Sequence, residues 1–522
     1  MNKINWPKID SDHLIVYSKQ MLEIEKEAFL RGMPEEALME KVGIKICEWL
    51  ENKEDLLKNG ITIFIGPGHN GGDGAVVARE LFLKGFDVDV FCPLPLKKEL
   101  TIKHFNYITS LGIKNLNKMP DSQNNRLWID ALLGNNQKKS FSEEIIKLFN
   151  KKYQTYSNKI VAIDVPTGLC PDSGVTFSGE AIKSNFTLCV GFKKIGILQD
   201  SAIPYVGEVN NIDIGLGGFC SFIKKQPYVS ISKKDIKKLK LFLPPKNASK
   251  YKRGKTLLIA GSEKYLGASS LVVKGAMASG VGSIRALIPK DMAKSLWQVE
   301  PEVVLEGYLE QSSEGNSLIY SSLKKIDLNR YESIVLGPGI GIDVLDWEKA
   351  IKYLLKFKGL LILDADILNR ISYSKLGCQF FLERKFKTWI TPHLKEFERL
   401  FPNMSGINNV ELALSAAKKY KISILLKGAN SIIADNNGQI WQIYSTDADS
   451  ARAGLGDLLS GFLSGMAALE ISSGEKLLTD SFAKYLLIHS CAASNSLDGS
   501  SASIIGNKLS KIVRQIKMGQ MF

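Results

Sequence analysis

Long apolar runs are what this chain most plainly lacks. No stretch approaches the roughly 18 to 20 consecutive apolar residues that a bilayer crossing requires, and Met1 to Ser11 mixes polar and charged residues without the apolar segment of a secretory leader. A membrane protein is therefore not expected, and a cytoplasmic location is. Cysteine is also sparse. Cys47, Cys92, Cys170, Cys189, Cys220, Cys378 and Cys491 are scattered without a C-x-x-C spacing, which argues against a zinc ribbon or redox pair and for reduced, mostly buried thiols. Acidic side chains are in deficit, 54 Asp and Glu against 68 Lys and Arg, for a net charge of +14. That excess could draw nucleic acid or a polyanionic small molecule. No aromatic-basic recognition motif accompanies it, so a lysine-rich surface is expected, with no nucleic-acid or membrane partner.

What is present is enough to build two cores. The length of 522 residues exceeds what one hydrophobic core organises, and 45% hydrophobic with 23% charged residues is ordinary globular composition. Short Ile/Val-rich runs alternate with amphipathic stretches, the rhythm of a parallel α/β sheet. In the first half the expected strands are Ile61–Ile65, Asp87–Phe91, Leu127–Asp130, Ile160–Asp164 and Phe186–Val190. Pro34 opens a helix with Leu38, Val42, Ile46 and Trp49 on one face. After Leu216–Phe219 comes the Lys-rich stretch Lys224–Lys240, which has little apolar periodicity. From Lys255 the rhythm restarts, with strands at Thr256–Ile259, Ser283–Ile288, Ser333–Leu336, Leu360–Asp364, Thr388–Ile390 and Ile422–Leu426. The expected division is a first domain over 1–219, a linker over 220–227 and a second domain over 228–522. The halves share no motif, so they read as a fusion and not a duplication.

In the first half, strand Ile61–Ile65 runs into the glycine-rich Gly66–Gly74, followed by a helix over Ala75–Leu83. Such a turn serves either an anion at a helix N-terminus or simply a tight reversal. Two more strands end in an acid, at Asp130 and at Asp164-Val165-Pro166-Thr167-Gly168. The C-terminal ends of parallel strands share one edge, so Asn70, Asp130, Asp164 and Thr167 can converge there. Their oxygen donors suit a hard cation, and no His/Cys cluster points to a transition metal.

These segments, with Tyr17–Met21 and Leu38–Gly43, resemble the NAD(P)H-hydrate epimerase domain, also called YjeF N-terminal, over roughly residues 12–216. The resemblance implies a Rossmann-like three-layer sandwich. It also implies that His69, Asn70, Gly71, Gly72, Asp73, the loop Gly134, Asn135, Asn136, Gln137, Lys138, Lys139, Ser140 and Asp164 contact the hydrated nicotinamide. Asn70, Asp130 and Thr167 would hold a potassium ion, and Asp164 would give or take the proton that inversion at the hydrate carbon requires. Two departures stand out: His69-Asn70 replaces the usual paired asparagines, and Gly134–Ser140 replaces a Gly-Thr-Gly form.

In the second half four signals follow expected strands: Gly337–Gly341, Thr391–Phe397, Lys427–Ser431 and Gly454–Gly461, the last opening a helix to Leu469. Glycines at a helix N-terminus leave amides free for a phosphoryl group, which the helix dipole also favours. Asp457 at that end would be kept ionised and could take a proton from an attacking hydroxyl. A helix with an acidic first turn, or a structural histidine at His393, would look the same one at a time. The ordered set resembles the ADP- or ATP-dependent NAD(P)H-hydrate dehydratase domain, a ribokinase-like α/β fold, over roughly residues 228–510, with Leu363-Asp364-Ala365-Asp366 as its Asp-Ala-Asp signature. The resemblance implies that Ala268, Gly339 and His393 contact the hydrate together with Asp457, the catalytic carboxylate. It places Lys427, Gly428, Ala429, Asn430, Ser431 and Gly456 on an adenine nucleotide brought in with Mg2+. The lead Asp449–Gly454 departs from the usual Met-Ala-x-Gly-Gly-like form, and Arg452 there is either a phosphate contact or surface charge. The expectation is therefore one chain that epimerises R and S hydrates of NAD(P)H and dehydrates the S form, with a homo-oligomer possible. Two rivals remain: a plain small-molecule kinase, and a dehydratase whose N-terminal half only binds or scaffolds.

Overall fold

The computed structural model describes residues 6–155, 159–219, 228–241, 244, 247–444, 452–474, 480–494 and 501–519. Contacts divide the chain into two units, one running Lys8–Ser230 and the other taking the residues from Ile231 onward together with Trp6 and Pro7. Among the described residues no helix is long and apolar enough to cross a membrane.

The N-terminal unit is built on seven parallel strands in the order Lys114–Asn115, Val88–Phe91, Ile61–Ile65, Leu127–Ala131, Ile160–Ile163, Phe186–Val190, Glu208–Ile212. Its central strands are buried end to end, as expected of a sheet covered on both faces. Strand order reverses between Ile61–Ile65 and Leu127–Ala131, which opens a crevice at their C-terminal ends. The helix Glu35–Glu51 buries Leu38, Val42 and Ile46 as its spacing predicts.

One expectation is corrected here. The glycine-rich segment is not a loop before a helix at Ala75; the helix starts at His69 and runs to Leu83, with Gly71, Gly72 and Gly74 inside it. A Cβ at Gly71 would lie 2.0 Å from the Gly66 carbonyl oxygen, and one at Gly74 would lie 2.5 Å from Ala131 Cβ. These glycines let the helix press on the strand ends, which overrides their poor helix propensity.

The C-terminal unit has parallel strands in the order Val304–Gln311, Ser283–Pro289, Lys255–Ile259, Ser333–Leu336, Leu360–Leu363, Thr388–Ile390, Ser423–Leu426. Antiparallel strands Ile432–Ala434 and Ile440–Ile443 extend it. The fold class, mixed α/β with parallel sheets in both halves, is as expected. The Lys-rich stretch is not uniformly irregular: its described part forms strand Tyr228–Ile231 and a 3-10 turn Lys233–Lys238. Val229 pairs opposite Leu14, a partner far away in sequence that local periodicity cannot reveal. The expected linker 220–227 and the segment Asp449–Ala451 lie outside the described residues.

The helix that carries Asp457, Leu455–Ile471, lies against Leu266–Ser279 with a glycine on each side of the contact. A Cβ on Gly461 would sit 1.9 Å from the Val272 carbonyl oxygen, and one on Gly275 would sit 2.0 Å from that of Leu458. Alanine at 461 would gain about 1 kcal/mol of helix propensity. Overpacking against an immovable carbonyl costs up to about 3 kcal/mol. The clash wins, so Gly461→Ala is expected to lower the unfolding temperature by about 4–8 °C in scanning calorimetry.

Candidate active sites

The crevice of the N-terminal unit is a cavity of about 610 Å³, walled by the helix Ser18–Leu30 with Met21 and Glu25, by Leu38 and Met39, and by the two strand ends. Asp164 follows strand Ile160–Ile163 with φ +71°, a left-handed conformation uncommon outside glycine. That turn points its carboxylate at three donors. The Asn135 N–H donates to Oδ2 at 2.7 Å, the Val190 N–H to Oδ1 at 3.3 Å, and the Lys194 ammonium also to Oδ1. Lys194 is 1% exposed, and its Nζ also donates to the Val190 carbonyl at 2.8 Å. It is held there because Lys193–Lys194 forms a short strand parallel to Leu14–Val16.

Around this pair the acids crowd. Burial raises Glu25 to about 7 against the pull of Lys194, with Asp164 and Glu35 adding to the rise. Burial also raises Asp73 well above the usual carboxylate range, with Asp164 and Glu25 contributing and Lys194 opposing. His69 lies 3.2 Å from Glu35, and burial lowers its proton affinity despite that carboxylate.

The site residues expected from sequence separate into groups. His69, Asn70, Asp73, Gly134, Asn135, Asn136, Gln137 and Asp164 line the cavity. Gln137 is also tied back, accepting from the Gly168 N–H and donating to the Pro166 carbonyl. Gly71 is packed on Gly66, and Gly72 on Met39. Lys138 and Lys139 are exposed, and Ser140 shares a hydrogen bond with Ser178, so these five stand outside the lining.

Asp130 and Thr167 are fully buried beneath it. Thr167 donates to Asp130 through both N–H and Oγ1 at 2.9 Å, and Leu132 N–H donates at 3.1 Å. Burial outweighs these bonds and raises Asp130 to about 6. Asn70 lies beside Gly134, where an added Cβ would be 3.2 Å from Asn70 Oδ1. Sequence reasoning missed Lys194 and Glu25. The available signal for Lys194 was a lysine placed just after the strand end Phe186–Val190, in Gly191-Phe192-Lys193-Lys194.

In the C-terminal unit the motif-bearing strand ends are stitched together. A Cβ on Gly337 would lie 1.9 Å from the Asp364 carbonyl oxygen, and the Gly341 N–H donates to Asp366 Oδ2 at 2.8 Å. The Thr391 N–H bonds the Leu363 carbonyl, and the Lys427 N–H bonds the Pro392 carbonyl at 2.9 Å. Gly339 meets Ala268, 2.7 Å from its own missing Cβ position to the alanine methyl. His393 caps the helix Leu394–Leu400 through Nδ1, which accepts the Glu396 N–H, and its ring is half-exposed. Lys427 approaches the mouth of helix Leu455–Ile471, 3.7 Å from the Cβ position of Gly456, while Gly428 and Ala429 are exposed and Ser431 bonds back to Gly428.

Asp457 stands in the first turn of that helix. The expectation that the helix end keeps it ionised is corrected: burial, with Asp364 and Asp366 adding and Lys427 opposing, raises it to about 7. Near neutral pH it is divided between its two protonation states, as suits a group that takes a proton and later returns it.

Family comparisons follow the same division. Residues 35–196 match the model of the YjeF-related protein N-terminus, and residues 256–514 match that of NAD(P)H-hydrate dehydratase. A bifunctional NAD(P)H-hydrate repair enzyme of Synechocystis sp. is 35% identical over 461 residues, covering 87% of this chain and 86% of the relative. Its counterpart in Gloeobacter violaceus is 32% identical over 469 residues, covering 87% and 89%. Among solved structures, an ADP/ATP-dependent NAD(P)H-hydrate dehydratase of Bacillus subtilis crystallised with ATP and Mg2+ is 22% identical, covers 54% of this chain and 97% of its own, and has a TM-score of 0.44. The chain thus belongs to the family of bifunctional NAD(P)H-hydrate repair enzymes, an epimerase and a dehydratase joined in one polypeptide.

Proposed function

We propose that the N-terminal cavity interconverts the R and S hydrates of NAD(P)H, and that the C-terminal site returns the S form to NAD(P)H. ADP or ATP would be the phosphoryl donor, with AMP or ADP and phosphate released. The observation that carries this reading is the meeting of Asp457, Lys427 and Gly456 at one helix mouth, a base, a cation and a helix N-terminus where a phosphoryl group would arrive. Asp457 would take the proton of the ring hydroxyl as its oxygen attacks the terminal phosphorus, and Lys427 would offset charge on the transferring group. The ring nitrogen then pushes its electron pair toward the ring, the carbon–oxygen bond breaks, the former hydroxyl oxygen leaves on phosphate, and the neighbouring ring carbon gives up a proton to the departing phosphate or to water, which restores the ring double bond. Ala268, Gly339 and His393 would seat the ring, and Lys427–Ser431 with Gly456 would hold the nucleotide.

Magnesium, carried on the nucleotide's phosphates, would neutralise their charge. In the epimerase unit Asn70, Asp130 and Thr167 would hold potassium. The fit rests on an all-oxygen donor set and on Asp130, a buried carboxylate raised to about 6 that a nearby cation would hold in its charged form. Asp164 would exchange the proton there, with Lys194 holding its carboxylate in place.

Racemic NADH hydrate incubated with the full chain, ADP and Mg2+ tests this. Complete return of the reduced-nicotinamide absorbance is expected. A stable phosphorylated product would instead indicate a kinase, and recovery that stops at half would leave the N-terminal unit as a binding module.

A further inference from the structure

The dehydratase site contains an acid for which the proposed chemistry has no use. Asp364 ends strand Leu360–Leu363 and is 1% exposed, yet both of its oxygens are engaged. The Lys427 ammonium donates to Oδ1 at 2.8 Å, the Ala365 N–H donates to Oδ1 at 2.9 Å, and the Ser460 hydroxyl donates to Oδ2 at 2.5 Å. Ala365 takes φ +55° behind it, a conformation a β-carbon disfavours. Ser460 lies on the helix that carries Asp457, one turn further along. The strained peptide, the hydroxyl and the ammonium therefore meet on one carboxylate beneath the helix mouth. The empty Cβ position of Gly456 is 3.7 Å from Lys427 Nζ and 3.9 Å from Asp364 Oδ2.

We propose that Asp364 is a positioning residue: it fixes the Lys427 ammonium against Gly456 at the helix mouth, and Ser460 clasps Asp364 so that the cation, the amides and Asp457 keep one relative placement. This deepens the dehydratase reading and rests on it. A partly buried lysine without a partner would be free to swing away. Asp364 keeps it charged and aimed. Burial alone would lower Lys427, but Asp364, with Glu396 and Asp457 adding, raises it. The same carboxylate acts on Asp457, which faces Asp364, Lys427 and Asp366: Asp364 contributes to its rise and Lys427 opposes it. Asp364 thereby couples the charge of the phosphoryl clamp to the readiness of the base.

The test is kinetic and spectroscopic on the full chain. Asp364→Asn is expected to lower kcat for dehydration about tenfold or more with little change in KM for the hydrate, and to move the acid limb of the kcat/KM profile to lower pH. Ser460→Ala keeps the charge of Asp364 but loosens it, so kcat is expected to fall by about tenfold with the limb unmoved. Asp364→Glu should recover part of the Asp364→Asn loss. A wild-type kcat in Ser460→Ala together with an unmoved limb in Asp364→Asn would overturn the proposal, and so would a folded Ser460→Ala with full activity if Asp364→Asn fails to fold. Titration of Asp457 by carboxyl 13C NMR, assigned with Asp457→Asn, reads the coupling without turnover. Wild-type enzyme that restores no NADH would sink the dehydratase reading. An Asp457 titration identical in wild type and Asp364→Asn would sink this inference alone.

Discussion

Asp457→Asn is expected to reduce ADP-dependent dehydration by about 10²–10⁴-fold in kcat, the range a positioned general base supplies. Asparagine keeps the shape of the first helical turn, so nucleotide affinity should change little, and calorimetric ADP binding separates a lost base from a lost site. The wild-type pH dependence follows from the same group. Because Asp457 is raised to about 7, chiefly by burial and then by Asp364, the fraction able to accept a proton falls as the pH drops through that value. kcat/KM, which reports the free enzyme, should therefore decline below about pH 7 with unit slope in the wild type. In Asp457→Asn that limb should vanish, leaving a low and flat rate. A variant that retains both rate and limb would transfer the role of base to another carboxylate.

Asp457 was legible in the sequence because its position is set locally: glycines, an acid and a helix start occur within four residues. Asp130 and Asp164 were legible for the same reason, each closing an apolar strand that periodicity identifies. The parallel α/β class and most strands follow from those runs.

What could not be read depends on partners distant in the chain. The helix start at His69 is fixed by the contacts of Gly71 with Gly66 and of Gly74 with Ala131, whereas local propensity places a glycine-rich loop there. Lys194 belongs to the epimerase cavity only because Leu14–Val16 pairs with it across the unit. Glu25 reads as one more charge on the helix Ser18–Leu30 until that helix is laid over the strand ends. The reversed sign of the expectation for Asp457 has the same origin, since the helix end is visible in sequence but the burial and the neighbouring Asp364 are not.

Lys194 also yields the sharpest prediction for the epimerase. Asp164→Asn and Lys194→Met should each abolish epimerisation, by about 10²–10⁴-fold, while ADP-dependent dehydration of the S hydrate proceeds. With racemic hydrate, half would be converted at the wild-type rate and the remainder only as fast as it inverts unaided. The causes differ, and pH tells them apart. Asparagine at 164 has no carboxylate to carry a proton, and its amide would meet the Asn135, Val190 and Lys194 donors with one acceptor where there were two. Lys194→Met preserves the length of a side chain only 1% exposed but leaves a carboxylate 9% exposed without its cation. An unpaired buried charge costs about 3–5 kcal/mol. Glu25 and Asp73, already raised by burial, would rise further, because Lys194 opposes the rise of both. Uptake of a proton relieves that cost and removes the base. Epimerase activity in Lys194→Met should therefore return as the pH is raised, since the carboxylate is still there to be freed, while Asp164→Asn stays inactive at every pH. Recovery in both variants, or in neither, would show that the ion pair does not govern the proton transfer.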